Sequence, residues 1–170
     1  ALEALPTVEK EGLKGGVIYQ DGQFDDARMA LSLALTAADY GATLVNYCEV
    51  TGIIKDNDLV SGVVAVDQET GEEFHVQSKV VINATGVFAD EIIQMDEPGK
   101  KPLITPSQGI HLVLKKDFLP GNYAIMVPQT SDGRVMFAVP WRSHVIVGTT
   151  DTLIEKQTME PAALNSEVDF

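Results

Sequence analysis

The sequence predicts a mixed α/β fold, and three observations carry that expectation. A helical pattern opening at Asp25 gives way to short β-rich runs separated by turn residues. The second half reads as mostly antiparallel strands. Between the halves lies a polar Pro/Gly break, Asp96-Glu97-Pro98-Gly99-Lys100-Lys101-Pro102, which marks a crossover between domains.

Gly15 to Gln20 reads as a strand, and Asp21-Gly22 as a turn into a helix. Ala27, Leu31, Ala34, Leu35 and Ala38 recur at i, i+4, i+7, i+8 and i+11, one apolar stripe on a helix. Asp25 suits the N-cap, Asp26 the positive end of the helix dipole, and Gly41 a left-handed C-terminal stop. Thr43 to Val50 is then a short β-branched strand. Asp56-Asn57-Asp58 turns the chain into a strand over Leu59 to Asp67, and Gln68-Glu69-Thr70-Gly71 into another over Glu73 to Gln77. Lys79 to Asn83 reads as a short strand buried on both faces, running into Asn83-Ala84-Thr85-Gly86. Beyond the break, apolar segments at Ile110–Leu114, Tyr123–Val127, Val135–Val139 and Val145–Gly148 form a sheet, with a hairpin turn at Ser131-Asp132-Gly133-Arg134. The tail from Glu155 carries no strong pattern beyond a helix start at Pro161-Ala162-Ala163-Leu164.

The 170 residues suffice for one substantial core and fall short of a large two-domain enzyme. A net charge of −13 argues against nucleic acid and anionic lipid as partners of this segment. The single cysteine, Cys48, forms no internal disulfide; it suits a reducing cytoplasm and reads as a small hydrophobe in a strand. No apolar run approaches the roughly 20 residues of a membrane-spanning helix, and no signal peptide is visible. No set of His, Cys and carboxylates has the spacing of a metal site.

Four segments in order resemble the FAD-dependent glycerol-3-phosphate dehydrogenases and oxidases. They are Gly15 through Arg28; Asn83-Ala84-Thr85-Gly86-Val87-Phe88-Ala89-Asp90; Pro106-Ser107-Gln108-Gly109-Ile110-His111-Leu112-Val113; and Phe137-Ala138-Val139-Pro140-Trp141 continuing to Val147-Gly148-Thr149-Thr150-Asp151. The resemblance implies a D-amino-acid-oxidase-like fold, a partial FAD-binding domain with a β-meander plus part of a mostly antiparallel substrate domain. On that pattern residues 1–22 and 97–155 belong to the substrate domain, 23–96 to the FAD domain, and 156–170 to an unassigned tail. It implies oxidation of sn-glycerol 3-phosphate to dihydroxyacetone phosphate, with hydride passing to FAD and electrons on to a quinone or oxygen. The implied location is cytoplasmic, or peripheral on the inner face of the cell membrane in the parent protein; the electron acceptor decides between them.

The resemblance also assigns residues. His111 lies near flavin and substrate, where an imidazole can take the hydroxyl proton as hydride leaves, hydrogen-bond the substrate, or hold the flavin in place. Val50 is placed at a strand end reaching the adenine end of FAD, through its backbone. Ala84, Thr85 and Gly86 let the backbone approach the dinucleotide closely. Other residues read more plainly. His75 and His144 are solvated, Asp25, Asp26 and Arg28 form a cap and surface ion pairs, Asp151 is a turn or cap residue, and Trp141 belongs to the core or to the substrate side. Two family features are missing. There is no Gly-x-Gly-x-x-Gly to hold a pyrophosphate, and nothing after Asp151 matches the basic residues that hold the substrate phosphate. The chain therefore reads as a central region of a longer polypeptide, inactive alone and binding FAD weakly or not at all. A flavin-free binding module of the same fold, and an amine-oxidising relative of D-amino-acid oxidase, remain as alternatives.

Overall fold

The computed structural model describes residues 1–130 and 133–169. They form two compact units, one of Tyr19–Ile104 and one of Ala1–Ile18 with Thr105–Phe170.

In the Tyr19–Ile104 unit, helix α1 (Asp26–Asp39) starts and stops where its end residues dictate. Asp25 Oδ1 accepts from the Arg28 N–H at 3.1 Å. Gly41, at φ +89°, donates to Ala38 O at 2.8 Å, and Ala42 N–H reaches Ala37 O at 3.0 Å, the paired bonds of a Schellman stop. The apolar stripe, however, is uncovered within the unit: no α1 residue is buried, and Leu31 is 60% exposed.

Strands β1 (Cys48–Asp56), β2 (Leu59–Asp67) and β3 (Glu73–Gln77) make an antiparallel meander in that order. Asn57 (φ 49°) and Asp58 (φ 63°) are both left-handed, as a two-residue hairpin turn with the right twist requires. In the second turn, Asp67 accepts from the Glu69 and Thr70 N–H groups at 2.7 and 3.2 Å, which holds its carboxyl below the usual carboxylate range. Ala65 is buried on β2, and Gly62 lies so close to the Val76 carbonyl that no side chain fits. A 3₁₀ turn over Gly86–Phe88 leads into α2 (Ala89–Asp96), tied to β1 by Lys55 Nζ and Asp96 Oδ1 at 2.7 Å. Both oxygens of Asp90 accept from the Leu103 N–H, and Oδ2 also takes the Ile104 N–H at 2.9 Å, so the Pro/Gly break is anchored to α2.

Three expected strands differ. Gly15–Gln20 and Lys79–Asn83 are not strands, and the first strand of the meander starts at Cys48 rather than Thr43. Val17, Val80 and Ile82 stand 92%, 70% and 82% exposed, the reverse of a strand buried on both faces. The physical reason is pairing. A strand is a ladder, and among the described residues these runs have no neighbour to complete one, whatever their β-branched content.

The other unit holds β4 (Ser107–Gln108), β5 (His111–Lys115), β6 (Ile125–Val127), β7 (Met136–Trp141), β8 (His144–Gly148) and β9 (Thr152–Leu153), with a terminal turn of helix, α3 (Asn165–Val168). Four strands form an antiparallel sheet in the order β5-β8-β7-β6, while β4 pairs with β9. The expected antiparallel second half is what forms. Of the expected turn between β6 and β7, Ser131 and Asp132 lie outside the described residues. Beside them Thr130 N–H donates to Arg134 O at 2.8 Å and Gly133 N–H to Thr130 O at 3.0 Å. The core is small: Val145 (0% exposed), Ala138 and Leu119, with Leu5, Ile125 and Val147 packed on it. Among the described residues no helix is long and apolar enough to cross a membrane.

Candidate active site

Side chains alternate across a strand, so burying Val145, Val147 and Ala138 on one face of the sheet commits their neighbours to the other. That second face carries His111, Val113 and Lys115 from β5, Ile146 and His144 from β8, and Phe137, Val139 and Trp141 from β7, by the observed register. His111 pairs with Gly148, which pairs in turn with Phe137, making one row across three strands. The imidazole of His111 is exposed and makes no hydrogen bond with any described residue. The arrangement therefore presents a titratable ring on a mostly apolar surface.

The chain entering His111 is tightly held. Glu167, 3% exposed, accepts at Oε2 from Gln108 Nε2 at 2.9 Å and from the Leu164 N–H at 2.8 Å. Gln108 Nε2 also donates to Ala162 O, and the Ile110 N–H donates to Thr150 Oγ1 at 3.0 Å. The backbone bond from Leu164, then Gln108 and the nearby Thr152 and Thr150 hydroxyls, keep the Glu167 carboxyl below its usual range although burial opposes this. Neither threonine closes a bond on Oε1, which is buried without a partner. Gly109 leaves no space for a side chain against the Thr149–Thr150 backbone and hydroxyl. Gln108 is thus fixed to β9 and α3, and Gly109 and Ile110 to the Thr149–Thr150 segment that precedes β9.

The other expected residues lie in the Tyr19–Ile104 unit. Val50 is half-buried and is the third residue of β1, not its end, beside a register shift between Val50 and Gly52. Ala84, Thr85 and Gly86 are exposed. Asn83 organises them: its Oδ1 accepts from Thr85 Oγ1 at 2.7 Å, and its Nδ2 donates to Ala89 O at 2.9 Å. Gly86 has φ +59° with open space where a side chain would stand. A bare backbone at the start of a helix fits the close approach of a dinucleotide.

His75 and His144 are exposed, as expected, and each has a local partner: His75 Nε2 meets Glu73 Oε1 at 3.1 Å, and His144 Nδ1 meets Ser143 Oγ at 3.1 Å. Asp25 caps α1, whereas no ion pair forms on Asp26 or Arg28 among the described residues. Trp141 is half-buried with the Arg142 guanidinium 5.8 Å from its ring centre. Cys48 is half-buried. Asp151 lies between Thr150 and β9, outside any helix. No group of His, Cys and carboxylates among the described residues is arranged to hold a metal.

Sequence reasoning passed over Gly148, Glu167 and Asn83 as individual residues. Glu167 carried a signal, a carboxylate three residues beyond a helix start, positioned to reach back to the N-cap N–H. Gly148 sits within a motif segment, but nothing in the sequence sets it opposite His111; that comes from the register.

Comparison with known proteins fits this layout. A family model described as FAD dependent oxidoreductase matches residues 1–169. The chain is 43% identical over its whole length to the mitochondrial glycerol-3-phosphate dehydrogenase of Mus musculus, of which it covers 24%. It is 41% identical over 97% of its length to the Schizosaccharomyces pombe protein of that name, covering 27% of it. The chain thus spans about a quarter of the length of these relatives. The crystal structure of glycerol-3-phosphate dehydrogenase from Bacillus halodurans, complexed with FAD, superposes with a TM-score of 0.92 at 36% identity, covering 99% of this chain and 34% of that one. L-proline dehydrogenase from P. horikoshii matches at TM-score 0.58 and 18% identity, over 84% of this chain and 36% of that one, a likeness of fold alone.

Proposed function

The chain belongs to the FAD dependent oxidoreductase family, and from that premise we propose that it is part of a glycerol-3-phosphate dehydrogenase that oxidises sn-glycerol 3-phosphate to dihydroxyacetone phosphate. One observation carries this reading: near-complete superposition, at 36% identity, on an FAD-complexed enzyme of that name. The uncovered apolar side chains of α1 and of Val80 and Ile82 support a parent protein whose remaining chain covers them. We assign the Tyr19–Ile104 unit to the FAD side and the unit containing β5–β8 to the substrate side.

When bound, FAD supplies the two-electron acceptor for the substrate's hydride. The Ala84–Gly86 backbone, and the backbone of Val50, would hold it. His111 acts on the substrate. Its free ring nitrogen accepts the proton of the secondary hydroxyl as the C–H bond at the same carbon breaks, and the carbinol becomes a ketone. An imidazole suits this because one ring nitrogen can accept a proton while the other donates one. With 25 acidic against 12 basic residues, this chain has little to offer a phosphate dianion, and the cationic donors belong to the rest of the parent. A quinone or oxygen takes the electrons onward. We place the parent on the cytoplasmic side or peripheral on the inner face of the cell membrane; the relatives above are named mitochondrial, and fractionation of cells carrying the parent distinguishes the two.

The test is product analysis on the purified parent protein with an artificial electron acceptor. Dihydroxyacetone phosphate forming in step with glycerol 3-phosphate consumption supports the reading. No product, with glycine or sarcosine oxidised instead, assigns the protein to amine oxidation.

A further inference from the structure

Gly148 stands opposite His111 in the β5–β8 pairing and opposite Phe137 in the β7–β8 pairing. A methyl group on its Cα would stand 2.7 Å from His111 Cδ2, 3.1 Å from His111 Cγ and 2.8 Å from Ile110 O. Real Cβ contacts do not occur at 2.7 Å, so the imidazole occupies the space that any side chain on residue 148 would take. The ring lies against β8 backbone rather than standing free of the sheet. No side-chain hydrogen bond holds it among the described residues, and the contact the geometry shows is its lie over Gly148. Val145 and Val147, on the same strand, face the core and are β-branched. The glycine is therefore an interruption in a strand that otherwise favours bulk.

From this geometry we propose that Gly148 is a positioning residue for the oxidation reaction. Its missing side chain lets the His111 imidazole lie across β8 and so fixes where the ring nitrogens meet the substrate hydroxyl. The inference rests on the proton-accepting role of His111 proposed above. It says which second residue that role depends on.

The experiment uses the full-length parent holoenzyme and the variants Gly148→Ala, His111→Ala and their double. Two quantities are read. One is the rate constant for anaerobic flavin reduction by saturating glycerol 3-phosphate across pH. The other is carbethoxylation of His111 followed by peptide mass spectrometry, with His75 and His144 as internal references. In Gly148→Ala the reduction rate falls by about tenfold or more, because displacing a reacting group by about 1 Å costs up to about 10²-fold. The acid limb of its pH profile, where a proton acceptor must lose its own proton, moves; bound flavin and half-saturation by substrate change little, and only His111 changes its carbethoxylation rate. The double variant is no slower than His111→Ala. A double variant slower than His111→Ala by the full Gly148→Ala factor overturns the proposal, as does unchanged carbethoxylation of His111. If Gly148→Ala does not fold, recovery of folded holoenzyme in the double supports the ring contact. Failure of the double as well places the requirement at Ile110 O and overturns it. A wild-type flavin that glycerol 3-phosphate does not reduce sinks the assigned reaction, and His111 carbethoxylation then decides the ring placement by itself.

Discussion

Val145→Ala gives the clearest test of how the β5–β8 sheet is held. Val145 is fully buried, between Leu114 and Pro140 in register and among Leu119, Ala138 and Leu5. The substitution removes two methyl groups, worth about 1.6 kcal/mol at roughly 0.8 kcal/mol for each buried carbon. The cavity term brings the loss to about 2–3 kcal/mol, because a closely packed sheet face relaxes only in part. Hydrogen exchange by mass spectrometry on the parent holoenzyme reads this locally. Peptides over residues 111–115 and 136–148 lose about 30- to 150-fold of their protection, the equivalent of that energy at about 1.4 kcal/mol per tenfold. Peptides from the β1–β3 meander keep theirs, since Val145 belongs to the other compact unit. A change below about 0.5 kcal/mol, the level of an ordinary surface substitution, would refute the assignment of Val145 to a packed core.

Three further outcomes follow from the geometry. His111→Ala slows flavin reduction by glycerol 3-phosphate by about 10²- to 10⁴-fold, the usual contribution of a general base, while flavin content stays unchanged; stopped-flow absorbance checks both. Gly41→Ala destabilises α1 by about 1 kcal/mol or more, because alanine takes a φ of +89° only under strain, and Gly41→Asn costs less; exchange at the α1 C-terminus reads the difference. Glu167 has a depressed folded-state pKa, so its contribution to stability is present above the ordinary glutamate value of 4.5 and is lost as pH falls through the lower folded value. Acid unfolding of Glu167→Gln, followed by exchange at β4 and β9, loses that pH-dependent component, and an unchanged acid limb contradicts the lowered pKa.

What the sequence made legible was local. The cap at Asp25, the stop at Gly41, the Asn57-Asp58 turn and the limits of β2 and β3 each follow from a few adjacent residues. What it obscured was pairing. Lys79–Asn83 has strand composition and no ladder among the described residues, and the α1 stripe has helical period and no cover within its unit. The site divides the same way. His111 was legible because a motif carries it. Gly148 lies in a quoted segment, but its place against that ring came only with the register, and the capping position of Glu167 hinted at its role without showing the bond to Gln108, 59 positions away.

The most direct test of the central claim is anaerobic titration of the parent protein's flavin absorbance with glycerol 3-phosphate, with glycine and sarcosine as controls. The expected result is stoichiometric FAD that bleaches rapidly with glycerol 3-phosphate alone. Flavin that stays oxidised with glycerol 3-phosphate and bleaches with an amine contradicts it, and a parent protein without flavin contradicts it outright.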